Sequence, residues 1–562
     1  MPRSARFWKV LLALLFAATV LYLLGARSVP LWDRDEPRYA QCSREMLQTG
    51  DWVVPKYLGN LRIEKPPMIY WCQMLAMAVE GDTSEAARFP STVAVVLTIL
   101  VLAAVVRHFI GDRRALWSVF IFCTCALTIG SAKFCITDAM MMFFVAIGQG
   151  CLAFLYGSAH RNKKPPVWAA PLFWISLGFA GLTKGPQALG MHSVTLIALL
   201  LLDAAAARLN SPKSSRWNWR QSIRWWWRLQ PLIGLPLLAV MVTPWLVLVH
   251  QRAPGFVQEL FHKAHLHTVT SMEGHGEPPG YHTVLIFATF FPWSLLLPTA
   301  VTSAWRNRRS ATIRFAMAAT IGPWLMMELI RTKLPFYILP AFPGLAFLTA
   351  DALVRCIRGQ NRDFKRPIFL FAAAGWALIA LTLAVGPWIC LRYAKLDQLP
   401  IAGFIAFGIA GVIYAALVFG RFYQQRIARA AVVIGVGMAI MIAILYITIF
   451  PRLDFLQLSE RLADDLTQMG AYGSKVHVAM IGYAEPSLAF YQGGGAREQL
   501  PDYLQTTPPA EWPRWIVISI QDWQAVPPDV QRDLILRAVE TGVNYSHAGR
   551  REKVFILEHP AG

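Results

Sequence analysis

The sequence predicts a polytopic α-helical membrane protein that ends in a small α/β domain. Of its 562 residues, 56% are hydrophobic and only 15% are charged, more apolar surface than a soluble chain needs. Several charge-free stretches approach the roughly 20 apolar residues that cross the hydrocarbon core of a bilayer. From residue 451 onward this character is lost, and short strand-like runs replace the long apolar segments.

About thirteen membrane spans are predicted from the apolar runs. They lie near residues 7–25, 86–106, 115–131, 137–157, 168–182, 187–207, 231–250, 282–303, 312–330, 335–354, 367–391, 401–420 and 430–450. The basic, apolar N-terminus resembles a signal peptide, but without a convincing small-residue cleavage site we expect an uncleaved first helix. We expect a membrane domain over 1–450, with long outer loops at about 26–87 and 251–281.

Basic residues occupy every second connection between the predicted spans. These connections are 107–114, 161–164, 208–228, 306–314, 355–366 and 421–429, and the residues 3–9 at the start of the first span are basic as well. The positive-inside rule makes them cytoplasmic, which places the N-terminus inside and the C-terminal domain outside. The net charge of +20 therefore reflects membrane topology, and we expect no nucleic-acid partner.

The C-terminal region, 451–562, has the pattern of a small outer α/β domain. Runs at 475–481, 515–520 and 554–557 predict strands, and 527–541 predicts an amphipathic helix. The last hundred residues contain no cysteine, so no disulfide framework holds this part together.

Acidic residues follow the first span directly, in the motif DRDEPR at 33–38. Pro37 suits the first turn of a helix, and Asp35 and Glu36 could simply cap it. Their position at the mouth of a membrane pocket instead favours contact with a substrate, together with Arg38.

Another acid, Asp138, lies at the outer tip of the hairpin between the third and fourth spans, in the motif KFCITD. A carboxylate at membrane depth is costly and is usually functional or paired. Helix capping is an equally weighted alternative, because Thr137-Asp138 also suits a helix start.

Four cations lie in connections on the same predicted outer face. The positive-inside rule does not predict basic residues on this side of the membrane. The four cations are Lys65 in EKPPMIYW, Lys184 in GLTKGP, and Arg331 and Lys333 in RTKLPFY. Lys65 alone could be a lysine that reaches the interface beside aromatic residues. Together, the four predict a cationic rim able to hold phosphate.

The outer loop at 251–281 is rich in histidine, the commonest metal ligand. Its spacing matches no familiar zinc signature, so a solvated loop is the favoured interpretation. If a metal binds, we expect His265 or His267 to ligate it together with Glu64.

The order of these motifs resembles the bacterial 4-amino-4-deoxy-L-arabinose transferases that modify lipid A. These are membrane glycosyltransferases of the GT-C type, related to protein O-mannosyltransferases, and the resemblance covers roughly residues 1–450. It implies an undecaprenyl-phosphate-linked aminoarabinose donor, a lipid A phosphate acceptor and resistance to polymyxin and other cationic peptides. It also implies a chain surrounded by membrane lipids in the bacterial inner membrane, with active site and C-terminal domain in the periplasm.

Carried over residue by residue, the resemblance makes Asp35 and Asp138 the carboxylates near the catalytic centre. It also implies that Lys65, together with Arg38, Lys184 and Lys333, lies around the bound phosphate. Tyr337 matches an aromatic residue of the last motif. The chemistry is expected to need no cofactor, bound zinc would be structural, and a monomer is expected.

Two alternatives stay open at this point. A polyprenyl-phosphate-sugar transferase acting on protein or another glycan would need a true base, for which Asp35 is the candidate. A lipid-linked sugar transporter or flippase usually shows inverted repeats and broken helices at mid-membrane, and the sequence shows neither clearly.

Overall fold

The computed structural model describes residues 3–210, 222–262, 276–360, 367–393, 400–546 and 549–560. It confirms the predicted class, a largely helical membrane protein with a small C-terminal sheet. The N-terminal half contains α1 (Arg3–Leu23), α2 (Asp35–Thr49), β1 (Lys56–Tyr57), β2 (Asn60–Leu61), α3 (Met68–Glu80), α4 (Ser84–Ile110), α5 (Asp112–Cys123), α6 (Ala126–Lys133), α7 (Thr137–His160), α8 (Ala169–Lys184), α9 (Gln187–Asn210), α10 (Pro231–Arg252) and α11 (Phe256–Phe261).

The rest of the helical bundle follows with shorter, more broken elements. They are α12 (Tyr281–Thr289), α13 (Leu297–Arg306), α14 (Ala311–Leu329), α15 (Phe342–Ile357), α16 (Pro367–Tyr393), α17 (Ile401–Tyr423) and α18 (Ile427–Ile444). All thirteen predicted spans fall on single or broken helices. Among the described residues, eight helices are long and apolar enough to cross a bilayer, or up to ten with two bent pairs, so thirteen crossings remain a prediction.

The two bent pairs support each other where their helices break. The α5–α6 pair bends by 62°, and the pair of α12 with the segment 293–306 bends by 114°. At the breaks, the Ala126 amide donates to the Phe291 carbonyl at 2.7 Å, and the Trp293 indole donates to the Thr124 hydroxyl at 3.0 Å. Polar groups freed by a break inside the membrane are thus paired within the protein, as a low-dielectric surrounding requires.

The C-terminal region folds around one five-stranded sheet. Its elements are α19 (Leu458–Gln468), β3 (Val478–Ile481), α20 (Pro486–Gln492), β4 (Ala496–Gln499), α21 (Tyr503–Thr506), β5 (Trp515–Ser519), α22 (Ile520–Ala525), α23 (Pro528–Gln531), β6 (Ile535–Asn544) and β7 (Arg550–Glu558). The strand order is β4-β3-β5-β7-β6, with β3 parallel to both β4 and β5 and with β7 antiparallel to β5 and β6. Apolar clusters pack on both of its faces.

One predicted element of this region is wrong. Residues 527–541 form the four-residue helix α23 and then enter strand β6. The strand pairs along its length with β7, an interaction that local periodicity does not reveal. The end of β6, Thr-Gly-Val-Asn at 541–544, also has low helix propensity.

Candidate active site

An ion pair joins the start of α7 to the end of α8. Asp138 lies in the first turn of α7, and Lys184 is the last residue of α8. The Lys184 Nζ lies 2.6 Å from Asp138 Oδ1 and 3.9 Å from the centroid of the Tyr337 ring. Both charged side chains are largely buried, so each one depends on the other for compensation.

Asp35 and Lys65 lie beside this pair. Asp35 begins α2 and is exposed, and within the described residues no hydrogen bond or ion pair engages its carboxylate. Its charge nevertheless acts on Tyr337 and on Lys65, as does that of Asp138. The structure therefore brings Asp35, Lys65, Asp138, Lys184 and Tyr337 together, and we call these five residues the site cluster.

Lys65 is the most strongly perturbed cation of the site cluster. It lies in the turn before α3, where the following prolines, Pro66 and Pro67, are buried. Burial, and secondly the nearby charge of Lys184, lowers the pKa of the Lys65 ammonium group to about 8. An anion such as phosphate would relieve the repulsion between the two lysines.

The remaining predicted cations lie around the site cluster and have other contacts. Arg38 is half-buried, and its charge acts on Asp33 and Tyr57. Lys333 is buried and donates to the Glu277 carbonyl at 2.9 Å, whereas the exposed Arg331 accepts the Glu277 amide on its own carbonyl at 3.2 Å. Lys333 and Arg331 thus hold residues 276–277 against the α14–α15 connection.

The structure corrects the assignment of Glu36 to substrate binding. Its carboxylate is buried, pairs with Arg88 at 2.8 Å, and accepts the backbone amides of Cys135 and Trp32 at 2.6 and 2.9 Å. Every one of these partners belongs to the protein. Glu36 therefore fixes α2 against α4 and the α6–α7 turn.

The proposed metal ligands are only partly within the described residues. Glu64 is half-exposed and pairs with Arg62 at 3.0 Å, whereas His265 and His267 lie outside the described residues. In the described part of the chain, no group of three or more His, Cys, Asp or Glu side chains is suited to hold a metal ion. The zinc site stays a prediction.

The C-terminal domain holds the segment that leads into Asp35. The Asp33 carboxylate accepts the Ser487 amide at 2.9 Å and the Ser487 hydroxyl at 2.5 Å. The Asp33 amide donates to the Tyr545 hydroxyl at 2.7 Å, and the Leu31 amide donates to the Tyr491 hydroxyl at 2.7 Å. The position of Asp35 therefore depends on residues more than four hundred positions away in the chain.

Two kinds of contact support the site cluster, and sequence reasoning missed both. They are the buried pair of Glu36 with Arg88 and the hydrogen bonds from the C-terminal domain to residues 31–33. Arg88 carried a usable signal, because an arginine inside a predicted span requires a buried partner. Ser487, Tyr491 and Tyr545 carried none, since a serine or tyrosine in a soluble-type domain has many ordinary roles.

The site cluster combines two carboxylates with two lysines and a tyrosine ring at one end of the helical bundle. Two ammonium groups can hold a phosphate and stabilise negative charge that develops on a leaving group. The exposed carboxylate of Asp35 can meet a hydroxyl, an ammonium group or a developing positive charge. Groups of these kinds suit the transfer of a sugar from a lipid phosphate.

The sequence of this chain is similar to those of proteins named as sugar transferases. A family profile described as dolichyl-phosphate-mannose-protein mannosyltransferase matches residues 7–258. An undecaprenyl phosphate-alpha-4-amino-4-deoxy-L-arabinose arabinosyl transferase 2 of Proteus mirabilis is 27% identical over 74% of this chain and 73% of its own length. A similarly named enzyme of Edwardsiella ictaluri is 29% identical over 76% and 75% of the two chains.

Solved structures agree on the fold. The crystal structure of ArnT from Cupriavidus metallidurans bound to undecaprenyl phosphate has a TM-score of 0.74 and 20% identity, and it covers 97% of both chains. Its apo state gives the same TM-score over 99% of both chains, with 19% identity.

Proposed function

We propose that this chain, an ArnT-type membrane glycosyltransferase, transfers 4-amino-4-deoxy-L-arabinose from undecaprenyl phosphate to a phosphate group of lipid A. The observation that carries the proposal is the site cluster itself. Asp35, Lys65, Asp138, Lys184 and Tyr337 come from five separate segments of the chain and meet at one end of the bundle. The relatives named as undecaprenyl phosphate-aminoarabinose arabinosyl transferases match about three quarters of the chain.

The reaction follows from charge. An oxygen of the acceptor phosphate forms a bond to the anomeric carbon, and the bond from that carbon to the undecaprenyl phosphate oxygen breaks. The leaving phosphate takes the electron pair, so Lys65 and Lys184 lower the barrier by stabilising it. The acceptor phosphate is already anionic near neutral pH and needs no strong base.

The carboxylates then have roles other than proton removal. Asp138 holds Lys184 in place through the 2.6 Å ion pair. Asp35, whose carboxylate is exposed, faces the sugar, where it can pair with the ammonium group or with positive charge that develops at the anomeric carbon. In this proposal the chain's own side chains supply the chemistry, and zinc, where bound, supports the outer loops.

The proposal includes a location and a consequence. The site cluster would face the periplasm of a bacterial inner membrane, where the chain acts as a monomer on two lipid substrates. Sugar added to lipid A phosphates lowers their negative charge, which would weaken the binding of polymyxin and other cationic peptides.

Mass spectrometry of lipid A tests this function directly. Cells that express the chain should yield lipid A with the mass of one or more added aminoarabinose groups, and cells with the Asp35→Asn variant should not. Unmodified lipid A beside newly glycosylated protein would overturn the proposal in favour of a protein acceptor. Metal analysis of the purified protein and of a Glu64→Ala variant tests the zinc site separately.

A further inference from the structure

A cavity of about 370 Å³ lies between α4, α7, α14 and α15, away from the site cluster. Its lining on α7 begins at Ala146, eight residues after Asp138 and so about 12 Å along the helix. It ends at Arg161, about 22 Å farther on, at the opposite end of the bundle. We call this end the basic face, after Arg113, Arg161 and Arg309.

The wall of the cavity is apolar along most of its length. Leu102 and Val105 line it from α4, Ala153 from α7, Phe315 from α14 and Phe347 from α15. Protein interiors are close-packed, and voids of this size are uncommon. Its volume lies within the range of small-molecule pockets, roughly 300–1,000 Å³. An apolar chain would fill it.

The end of the cavity at the basic face is cationic. His160 and Arg314 line it, and Asp203 faces both at 3.9 and 2.6 Å. Arg161 and Arg309 line the same end and are exposed, and among the described residues neither guanidinium group meets a carboxylate. Guanidinium groups bind phosphate through paired charge-assisted hydrogen bonds, so this rim is complementary to an anionic headgroup.

We propose that this cavity binds an anionic glycerophospholipid, with one acyl chain between the four helices and its phosphate at Arg161 and Arg309. The cavity runs for about 22 Å from the basic face, within the roughly 30 Å of the hydrocarbon core, so one extended acyl chain that enters at the basic face fits along it. A polyprenyl phosphate donor does not fit the same placement, because its phosphate belongs at the site cluster, at the other end of the bundle. The lipid would fill the bundle and stabilise it.

Native mass spectrometry of the full-length protein tests this site, with phosphatidylglycerol and phosphatidylcholine of matched acyl chains as probes. Wild-type protein should retain phosphatidylglycerol about tenfold more tightly than phosphatidylcholine, because only the former carries net negative charge. The double variant R161Q/R309Q should lose this preference. The matched control R113Q, an exposed arginine of the basic face that does not line the cavity, should keep it.

A second variant tests the acyl-chain part of the site. Ala146→Leu narrows the apolar wall and should weaken retention of both lipids without changing the preference between them. Equal phosphatidylglycerol retention by R161Q/R309Q and R113Q would overturn the proposal. So would one-for-one displacement of phosphatidylglycerol by undecaprenyl phosphate, which would give the cavity to the donor lipid. Neither readout requires sugar transfer, so the outcome is independent of the proposed function.

Discussion

At the residue scale, the ion pair between Lys184 and Asp138 is the closest contact within the site cluster. Both side chains are largely buried, and the pair is 2.6 Å long. A buried charge that loses its partner is strongly unfavourable, whereas removal of both charges can be nearly neutral. Stability and activity therefore respond differently to changes at these two positions.

We predict that Lys184→Met and Asp138→Asn each destabilise the protein by about 3 kcal/mol, because each leaves one unpaired buried charge. The double variant should recover much of this stability but remain inactive, since the phosphate loses one of its cations. Thermal unfolding in detergent and a transfer assay measure the two effects. Additive destabilisation in the double variant would show that the two charges do not compensate each other.

Lys65 makes donor binding dependent on pH. Its pKa is lowered to about 8 by burial and by Lys184, so the ammonium form that binds phosphate is lost as the pH rises through 8. We predict that KM for the donor increases from pH 7 to pH 9. In Lys65→Arg the cation persists, and KM should stay flat. A wild-type KM independent of pH over this interval would contradict the assignment.

The sequence predicted the members of the site cluster but not the partners that position them. Asp35, Lys65, Asp138, Lys184 and Tyr337 stand out because charged or polar residues gather in otherwise apolar surroundings. The predicted role of Glu36 in substrate binding was wrong. Its carboxylate pairs with Arg88, which lies 52 positions away in the chain, so the sequence around Glu36 does not reveal the pair. Two adjacent acids look alike in a sequence, and only tertiary structure separates the paired one from the exposed one.

At the scale of elements, α2 is held between the helical bundle and the C-terminal domain. The Arg44 guanidinium of α2 donates to the Phe490 carbonyl of α20 at 2.6 Å. Just before α2, the Asp33 carboxylate accepts a hydrogen bond from the amide of Ser487, which also belongs to α20. Burial raises the pKa of Asp33 to about 7, although the hydrogen bonds from Ser487 act in the opposite direction. The stability of the contact between α2 and the C-terminal domain therefore depends on pH.

The sign of this coupling follows from the raised pKa. Between pH 4 and pH 7 the folded protein keeps a proton on Asp33 that the unfolded chain releases, so stability falls as the pH rises through this interval. We predict that Asp33→Asn, which cannot ionise, removes this part of the decline in thermal unfolding midpoint. Ser487→Ala, which loses the hydroxyl hydrogen bond but keeps the amide one, should raise the pKa of Asp33 further and extend the decline above pH 7. Identical pH profiles for the wild type and Asp33→Asn would refute the coupling.

Helices were easier to predict than strands, for a physical reason. Pro37 was expected in the first turn of a helix and lies there in α2, because a helix satisfies its own backbone through local hydrogen bonds. Strand β6 instead depends on β7, and its exposed and buried residues alternate only in part. The local pattern of polar and apolar residues at 527–541 therefore could not distinguish a helix from a strand.

At the scale of the whole molecule, sugar transfer in the periplasm requires the site cluster and the basic face to open to opposite compartments. We predict that a cysteine at Tyr472, exposed in the C-terminal domain, reacts with a membrane-impermeant maleimide in spheroplasts. A cysteine at Arg113 should react only after the membrane is permeabilised. Of the eight native cysteines, the seven whose side chains the structure describes are buried or half-buried, and the unsubstituted chain serves as the background control for all eight. Equal labelling of both positions in intact spheroplasts would refute the orientation.

The most direct test of the central claim is sugar transfer by the purified protein from a synthetic undecaprenyl-phosphate aminoarabinose donor to lipid A. We predict transfer by the wild type, and a loss of about two to three orders of magnitude in Asp35→Asn, because a charge that stabilises the transition state is removed. Glu80→Gln, an exposed acid in the same outer segment, should retain full activity. Full activity in Asp35→Asn, or donor left intact by the wild type, would contradict the account.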